Sequence, residues 1–399
     1  MMWIIIGFVI VFGIIMIFSF FKFQREIRQV TPEYVVELIK ERQTSEDVAL
    51  AIHYNDEKWV SINEHIPLPL ASTVKIIVAI EFAQQAADHK IDPLEEVPLE
   101  RLDTFNIPKT DGGAHKAWLN ALNTDKQMKH VPLHEVAKGM IQFSSNANTD
   151  YLIDILGLDN INQVPERLGI EDHDPLFPVV SSMYIPVQLM QDKNLTPQTL
   201  VITMDKLSDE EYRQMALDIH NKWIEQPLTS LEKRKLTKTL NMTVQRAWSE
   251  RLPRATAEGY ISIMDKINSK KYFSQAVHNH LDPLLENPKN KEKFLYAGQK
   301  GGSTSFSVTM AMYATDKEHN QTSLALFTNR LNSIEQIKLS RSVNDFQRKF
   351  LTDEAFRSFV KEELKEPPVD EENISELEDE EVESKSSVQE HIEEPEIKD

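Results

Sequence analysis

The sequence predicts a mixed α/β (α+β) fold, in which a sheet built from N- and C-terminal segments packs with a helical subdomain. Two observations carry this reading. Strand signals gather at both ends of the stretch from 31 to 352, and the residues between them recur at helical spacing.

The elements follow in order. Residues 31–41 predict a helix, with Thr31 as cap, Pro32 at the first helical position and Val35, Val36 and Ile39 on one face. Residues 48–54 are rich in small and β-branched side chains, and residues 59–62 follow the turn-like Asn55-Asp56-Glu57-Lys58, so the two read as a hairpin. Pro67 and Pro69 then break the chain before Ser72, which opens a helix that is apolar nearly all round through Ala83. Further helices are expected over 134–143, 149–156 and 161–168. From 196 to 249 the pattern is helical and charged, with Ser208 and Glu211 forming a capping box. A helix over 256–267 precedes strands over 294–298, 305–313 and 321–328, and a closing helix spans 333–350. No internal repeat is visible.

The extremes of composition sit at the two ends of the 399 residues. Residues 2–21 are apolar apart from Gly7, Gly13 and Ser19, and at about 1.5 Å per residue they match the thickness of a bilayer core. Residues 1–22 are therefore expected to be a single transmembrane anchor, with 23–30 as a juxtamembrane linker. A cleavable signal peptide fits less well: no positive residue precedes the run, and no small-x-small site follows it. Lys22, Arg25 and Arg28 after the span favour a cytoplasmic C-terminal part. Residues 362–399 hold 17 Asp or Glu against three Lys, a net of −14 out of the chain's −19, so the low pI describes the tail. Such a segment cannot bury enough apolar surface to order itself and is expected to be a disordered spacer, or a docking tail for a protein partner.

No basic patch suggests nucleic acid. There is no cysteine, which removes disulfides, thiol nucleophiles and Cys-based zinc sites together. His278 and His280, two apart on a predicted helix, point to different sides, so neither metal nor cofactor is expected.

A serine hydroxyl is a poor nucleophile until a base takes its proton. Ser72 and Lys75, three apart on one helix, lie on the same face, and in a dry site the lysine amine loses its charge readily enough to serve as that base. The helix N-terminus also favours negative charge developing at Ser72. The spacing alone is weak, because it recurs at Ser230 to Lys233 and Ser358 to Lys361, but only Ser72 begins a buried helix. Two further clusters add weight: Ser144-Ser145-Asn146, between predicted helices, and Lys300-Gly301-Gly302-Ser303-Thr304, on a late strand.

The ordered set Ser-x-x-Lys, Ser-x-Asn and Lys-x-Gly, with 72 residues from Ser72 to Ser144, resembles the class A β-lactamase and penicillin-binding protein superfamily. That resemblance implies a β-lactamase/DD-peptidase-like fold with an antiparallel sheet over roughly residues 31–352. It implies that Ser72 is acylated, that Lys75 is the base and that Ser144 passes a proton to the leaving nitrogen. Asn146 would bind the substrate's amide side chain, and Lys300 would face its carboxylate. Gly302, Ser303 and Thr304 would complete the substrate strand, with the N–H groups of Ser72 and Ser303 as oxyanion hole.

Three departures matter. Ser145 stands where the lactamases usually have aspartate, and Gly301 where a hydroxyl usually helps hold the carboxylate. The loop after Gly169 offers no glutamate at the distance needed to activate a deacylating water; Glu166 and Glu171 come too early. Ser144 to Lys300 is also 156 residues, long for the family, and the surplus falls in a helical insertion over about 188–250 that either covers the site, docks a partner or lies peripherally. The expectation is a membrane-bound acyl-serine enzyme acting on β-lactams or peptidoglycan-type D-alanyl peptides. The alternative is a penicillin-binding sensor or scaffold that retains the fold without turnover. Wall substrates imply an extracytoplasmic domain, against the flanking charges.

Overall fold

The computed structural model describes residue 16 and residues 30–108, 110–122 and 128–365. Apart from Met16, the expected membrane span over 2–21 lies outside the described residues, as does the expected acidic tail over 362–399 except for 362–365. Among the described residues no helix is long and apolar enough to cross a membrane.

Helix α1 (Glu33–Arg42) begins one residue later than expected. Pro32, at φ −56°, takes the N-cap position with no side-chain cap, and Thr31 lies outside the helix. Strands β1 (Val48–Tyr54) and β2 (Glu57–Ile62) form the predicted hairpin. Its loop is two residues long, Asn55 and Asp56, both left-handed (φ 50° and 64°), a conformation that Asn and Asp tolerate and that matches strand twist. The C-terminal strands are β3 (Phe294–Ser303), β4 (Val308–Asp316) and β5 (Gln321–Thr328). The expected second strand shifts forward because Ser305 and Phe306 form a turn, closed by the Thr304 N–H on Ser307 O (3.1 Å) and the Phe306 N–H on Thr304 Oγ1 (3.0 Å). The sheet is antiparallel throughout, in the order β2-β1-β5-β4-β3. The N-terminal hairpin thus pairs with the last strand, and β3 is left at an edge.

Both sheet faces are covered, which is why these strands read as almost continuously apolar. On one face the side chains are mostly small: Ala49, Ala51, Ala311 and Ala325, with Tyr313 and Phe327. Helix α2 (Lys75–Ala87), α3 (Leu133–Gln142), α4 (Asn146–Leu156), α5 (Ala257–Asn268) and α6 (Gln275–Leu285) contribute to this core. Tyr260 of α5 packs edge-on to Phe327, with centroids 5.3 Å apart. The other face carries Leu50, Ile52, Met310, Met312, Leu324 and Leu326, covered by α1, α7 (Ser333–Thr352) and α8 (Glu354–Glu363). Helix α8 was not expected; Asp353 caps it by accepting the Phe356 N–H at 3.1 Å, and Phe356 and Val360 complete the core beyond residue 352.

The charged middle of the chain builds a third core around Tyr212 and Trp223, from the helices Val179–Asp192, Pro197–Asp205, Asp209–Glu225, Ser230–Thr239 and Met242–Ser249. The Ser208–Glu211 capping box forms as predicted.

Candidate active site

Ser72 sits in a tight 3-10 turn, Ala71–Val74, that feeds α2. Ala71 is held at φ 45°, a left-handed conformation costing roughly 1–2 kcal/mol for an L-residue with a Cβ. The turn is tied down on three sides: the Leu70 N–H on Pro253 O (2.9 Å), Thr309 Oγ1 on Leu70 O (2.8 Å), and Thr73 Oγ1 with Thr309 Oγ1 (2.8 Å). Gly302 on β3 lies against it; a Cβ there would stand 2.5 Å from the amide nitrogen of Ser72.

Lys75 begins α2 and is fully buried. Its Nζ donates to Ser144 O at 2.7 Å and to Asn146 Oδ1 at 2.8 Å, and lies 3.4 Å from Ser144 Oγ. Burial, and then the neighbouring Lys300 charge, hold the amine well below the usual lysine range. A neutral amine has two N–H groups, which the two carbonyl oxygens satisfy, and its lone pair remains to accept a proton.

Ser144 follows the end of α3 in a left-handed conformation (φ 68°), and the Ser145 N–H closes that end on Gly139 O at 3.1 Å. This is the position where a helix end favours glycine, yet it carries a hydroxyl. Lys300 Nζ donates to the same Oγ at 3.1 Å and also contacts Gly301 O. Lys300 is buried, which lowers its amine to about 7.

Helix α4 begins at Asn146, three residues before the expected start, because Ser145 is its N-cap: the Ser145 hydroxyl accepts the Asn148 N–H at 3.3 Å. The middle residue of the Ser-x-Asn cluster is therefore a cap, and the buried His115, with Nδ1 3.0 Å from Ser145 Oγ and 3.1 Å from Asn148 Oδ1, braces it.

These groups open into one cleft of about 1180 Å³, in which Ser72, Lys75, Ser144, Asn146, Lys300, Gly302, Ser303 and Thr304 all lie on the wall. Thr304 is at the rim, with its hydroxyl already shared by Ser249 Oγ (2.8 Å) and Ser307 Oγ (3.0 Å). Residues of the charged middle also form wall, Leu240, Gln245 and Trp248 among them. Ser305 donates to Gln245 Oε1 at 3.0 Å, so these helices close one end of the cleft rather than standing apart from it.

The other serine–lysine pairs do not build a second site: Ser230 and Ser358 are exposed, and neither lies on the cleft wall. Sequence reading missed Asp111 and Asp150. Asp111 lines the cleft and accepts the N–H groups of Gly113 (3.0 Å) and His115 (2.9 Å), a role signalled by Asp-Gly-Gly before a helix. Asp150 is buried in α4 and accepts the N–H groups of Val179 (2.7 Å) and Val180 (2.8 Å). Burial raises its carboxyl to about 7; the helix carries Asn146, Asn148, Thr149 and Asp154 as well, so nothing in its pattern singled this acid out.

The only carboxylates on the cleft wall among the described residues are Asp111 and Glu286, and the latter accepts Lys270 Nζ (2.9 Å) and Tyr313 OH (3.0 Å). Glu166 and Glu171 are exposed outside it.

A profile of the β-lactamase enzyme family matches residues 32–302, more than half of the chain. The protein belongs to that family. Among solved structures, a β-lactamase from Sphaerobacter thermophilus superposes with a TM-score of 0.50 at 16% identity, over 79% of this chain and 96% of that one. A class A β-lactamase from Bacteroides cellulosilyticus gives a TM-score of 0.49 at 15% identity, over 81% and 99%. PBP-A, solved as an acyl-enzyme complex with penicillin G, gives 0.43 at 14%, over 78% and 96%. Compared with curated protein sequences, the chain matches none.

Proposed function

We propose that this protein is a membrane-anchored serine hydrolase of the β-lactamase and DD-peptidase kind, acylated on Ser72 by a β-lactam or by the amide of a D-alanyl peptide. Residues 2–21 form its anchor, and its domain lies outside the cytoplasm, where wall peptides are. One observation carries the reading: two buried lysine amines converge on the Ser144 hydroxyl beside the strained turn that presents Ser72.

Neutral Lys75 takes the Ser72 proton as Oγ attacks the carbonyl carbon, and the oxyanion is held by the N–H groups of Ser72 and Ser303. As the C–N bond breaks, Ser144 gives its proton to the leaving nitrogen and is reprotonated from the ammonium of Lys75. Lys300, partly charged near neutrality, fixes Ser144 and faces the substrate's carboxylate. Water then releases the acyl group.

A second reading keeps acylation and omits efficient release, as in a penicillin-binding sensor. It is favoured by the state of Asp111 and Glu286, both already engaged by donors, so among the described residues no cleft carboxylate is free of such contacts to activate water.

The test is to incubate the full-length protein with a fluorescent penicillin beside Ser72→Ala. Labelling lost in the variant supports acylation, and its decay over minutes separates turnover from a trap. Equal labelling of both proteins, or of neither, would overturn the reading. Protease added to intact protoplasts should digest the domain; full protection would place it inside.

A further inference from the structure

We propose that the groove between β3 and α7, reached over Gly301, is a second subsite holding the remote part of an extended, uncharged peptide substrate. The proposal rests on the acyl-serine reading above and extends it to the size and charge of what is bound.

Strand β3 is an edge strand, and its side chains alternate across the sheet. Lys300 and Gly302 face Ser144 and Ser72, while Gly301 and Ser303 face the opposite side, paired with Met310 and Val308 of β4. A Cβ at Gly301 would meet only Thr309 O, at 3.6 Å, so the space above this residue is open. The cleft continues across the strand here: its wall includes Ser72 and Lys75 on one side, and Ser340, Val343 and Asn344 of α7 on the other.

The lining chemistry selects the occupant. Ser303, Ser340 and Asn344 offer hydroxyls and a carboxamide, and Met310 and Val343 form an apolar floor. None of these side chains is charged, so a charged chain would lose water there without gaining a partner, whereas peptide amides would be matched. Binding remote from the scissile bond is the kind of interaction that can be used to accelerate acylation.

The experiment uses full-length protein in detergent micelles and reads acylation of Ser72 as protection from a fluorescent penicillin. The probes are D-alanyl thioesters in which D-thiolactate replaces the terminal D-alanine, so that the leaving thiol keeps the carboxylate: a short acetylated one, one extended at its N-terminus by several Ala, Gly and Ser residues, and one extended equally by Glu. The uncharged extension should raise the acylation rate constant by about tenfold or more over the short probe, and the acidic one should not. Ser340→Trp and Asn344→Trp, both outside the acylation machinery, should each erase that gain while penicillin labelling stays within about twofold. A gain that survives both tryptophans, an equal gain with Glu, or no gain in the wild type despite penicillin labelling would overturn the subsite alone. No acylation by penicillin or by any thioester would overturn the acyl-serine reading, and the subsite with it.

Discussion

Gly302 and Ser72 meet backbone to backbone: a Cβ on the glycine would fall 2.5 Å from the serine amide nitrogen and 2.6 Å from Thr309 Oγ1, the hydroxyl that anchors the turn. Neither neighbour is the flexible end of a long side chain, so one of the two segments must move. In Gly302→Ala the N–H groups of Ser72 and Ser303 should lose their common aim. Loss of one such donor costs on the order of a hundredfold or more, and the penicillin acylation rate should fall accordingly with an unchanged circular dichroism spectrum. A rate within about threefold of wild type would mean that β3 does not shape the oxyanion site.

The two lysines set opposite limbs of a pH profile. Lys75 must be neutral, so acylation is lost in acid as that amine gains a proton; because its affinity for the proton is depressed, that limb lies well below the usual lysine range. Lys300 must be charged, and it loses its proton near pH 7, which places the alkaline limb there. The bell belongs to the coupled pair. In Lys300→Arg the charge persists and the alkaline limb should move well above 7. In Lys300→Ala the alkaline limb should vanish and the acid limb should rise, since a positive neighbour of Lys75 is gone. Stopped-flow acylation rates at a series of pH values check both shifts.

Asp150 gives a prediction about stability. Its folded carboxyl is raised to about 7 from an ordinary value near 3.8, so between those limits the folded state holds a proton that the unfolded state has released. Stability from this group therefore falls as pH rises from about 4 to 7 and is level beyond. Asp150→Asn cannot titrate. The stability difference between wild type and variant, measured by urea unfolding, should shift against the wild type by a few kcal/mol across that window. A constant difference would show that Asp150 is ionised in the folded protein throughout.

The sheet was legible in the sequence because its strands are apolar runs bounded by turn residues, and the β1–β2 hairpin follows from the small and β-branched residues 48–54 with the Asn55-Asp56 turn after them. The ends of β3 and β4 were less so, because whether Ser305 pairs or turns is decided by the Thr304 hydroxyl and by Gln245, sixty residues away in sequence. The grouping of Ser72, Lys75, Ser144, Asn146 and Lys300 was readable from their order. The lowered amine of Lys75 was readable too, from its place in a dry helix, but that of Lys300 was not, since it looks like an ordinary strand lysine until the fold buries it. Asp150 stayed hidden for the same reason: its partners are backbone N–H groups at the start of another helix, which no side-chain pattern announces.

The lifetime of the acyl-enzyme follows from what surrounds the ester. Hydrolysis needs a base placed to take a proton from water, and the loop after Gly169 brings none: Asp174 is spent on the Arg254 N–H at 3.0 Å, while Glu171 is exposed away from the cleft. Asp111 could serve only by releasing two N–H groups that shape the start of the helix Ala114–Leu122. Lys75 keeps a lone pair that can accept a proton, but with Nζ fixed on Ser144 O and Asn146 Oδ1 it is the base of acylation, and no unengaged cleft carboxylate stands with it among the described residues. The penicilloyl form should therefore persist for hours at neutral pH, read as a stable mass increase on the Ser72 peptide. Introducing a carboxylate at the loop's cleft-facing end, as in Phe177→Glu, should shorten that lifetime by about tenfold or more, the usual contribution of a positioned base being a hundredfold or greater. Release within seconds in the wild type would require a base that these contacts do not supply.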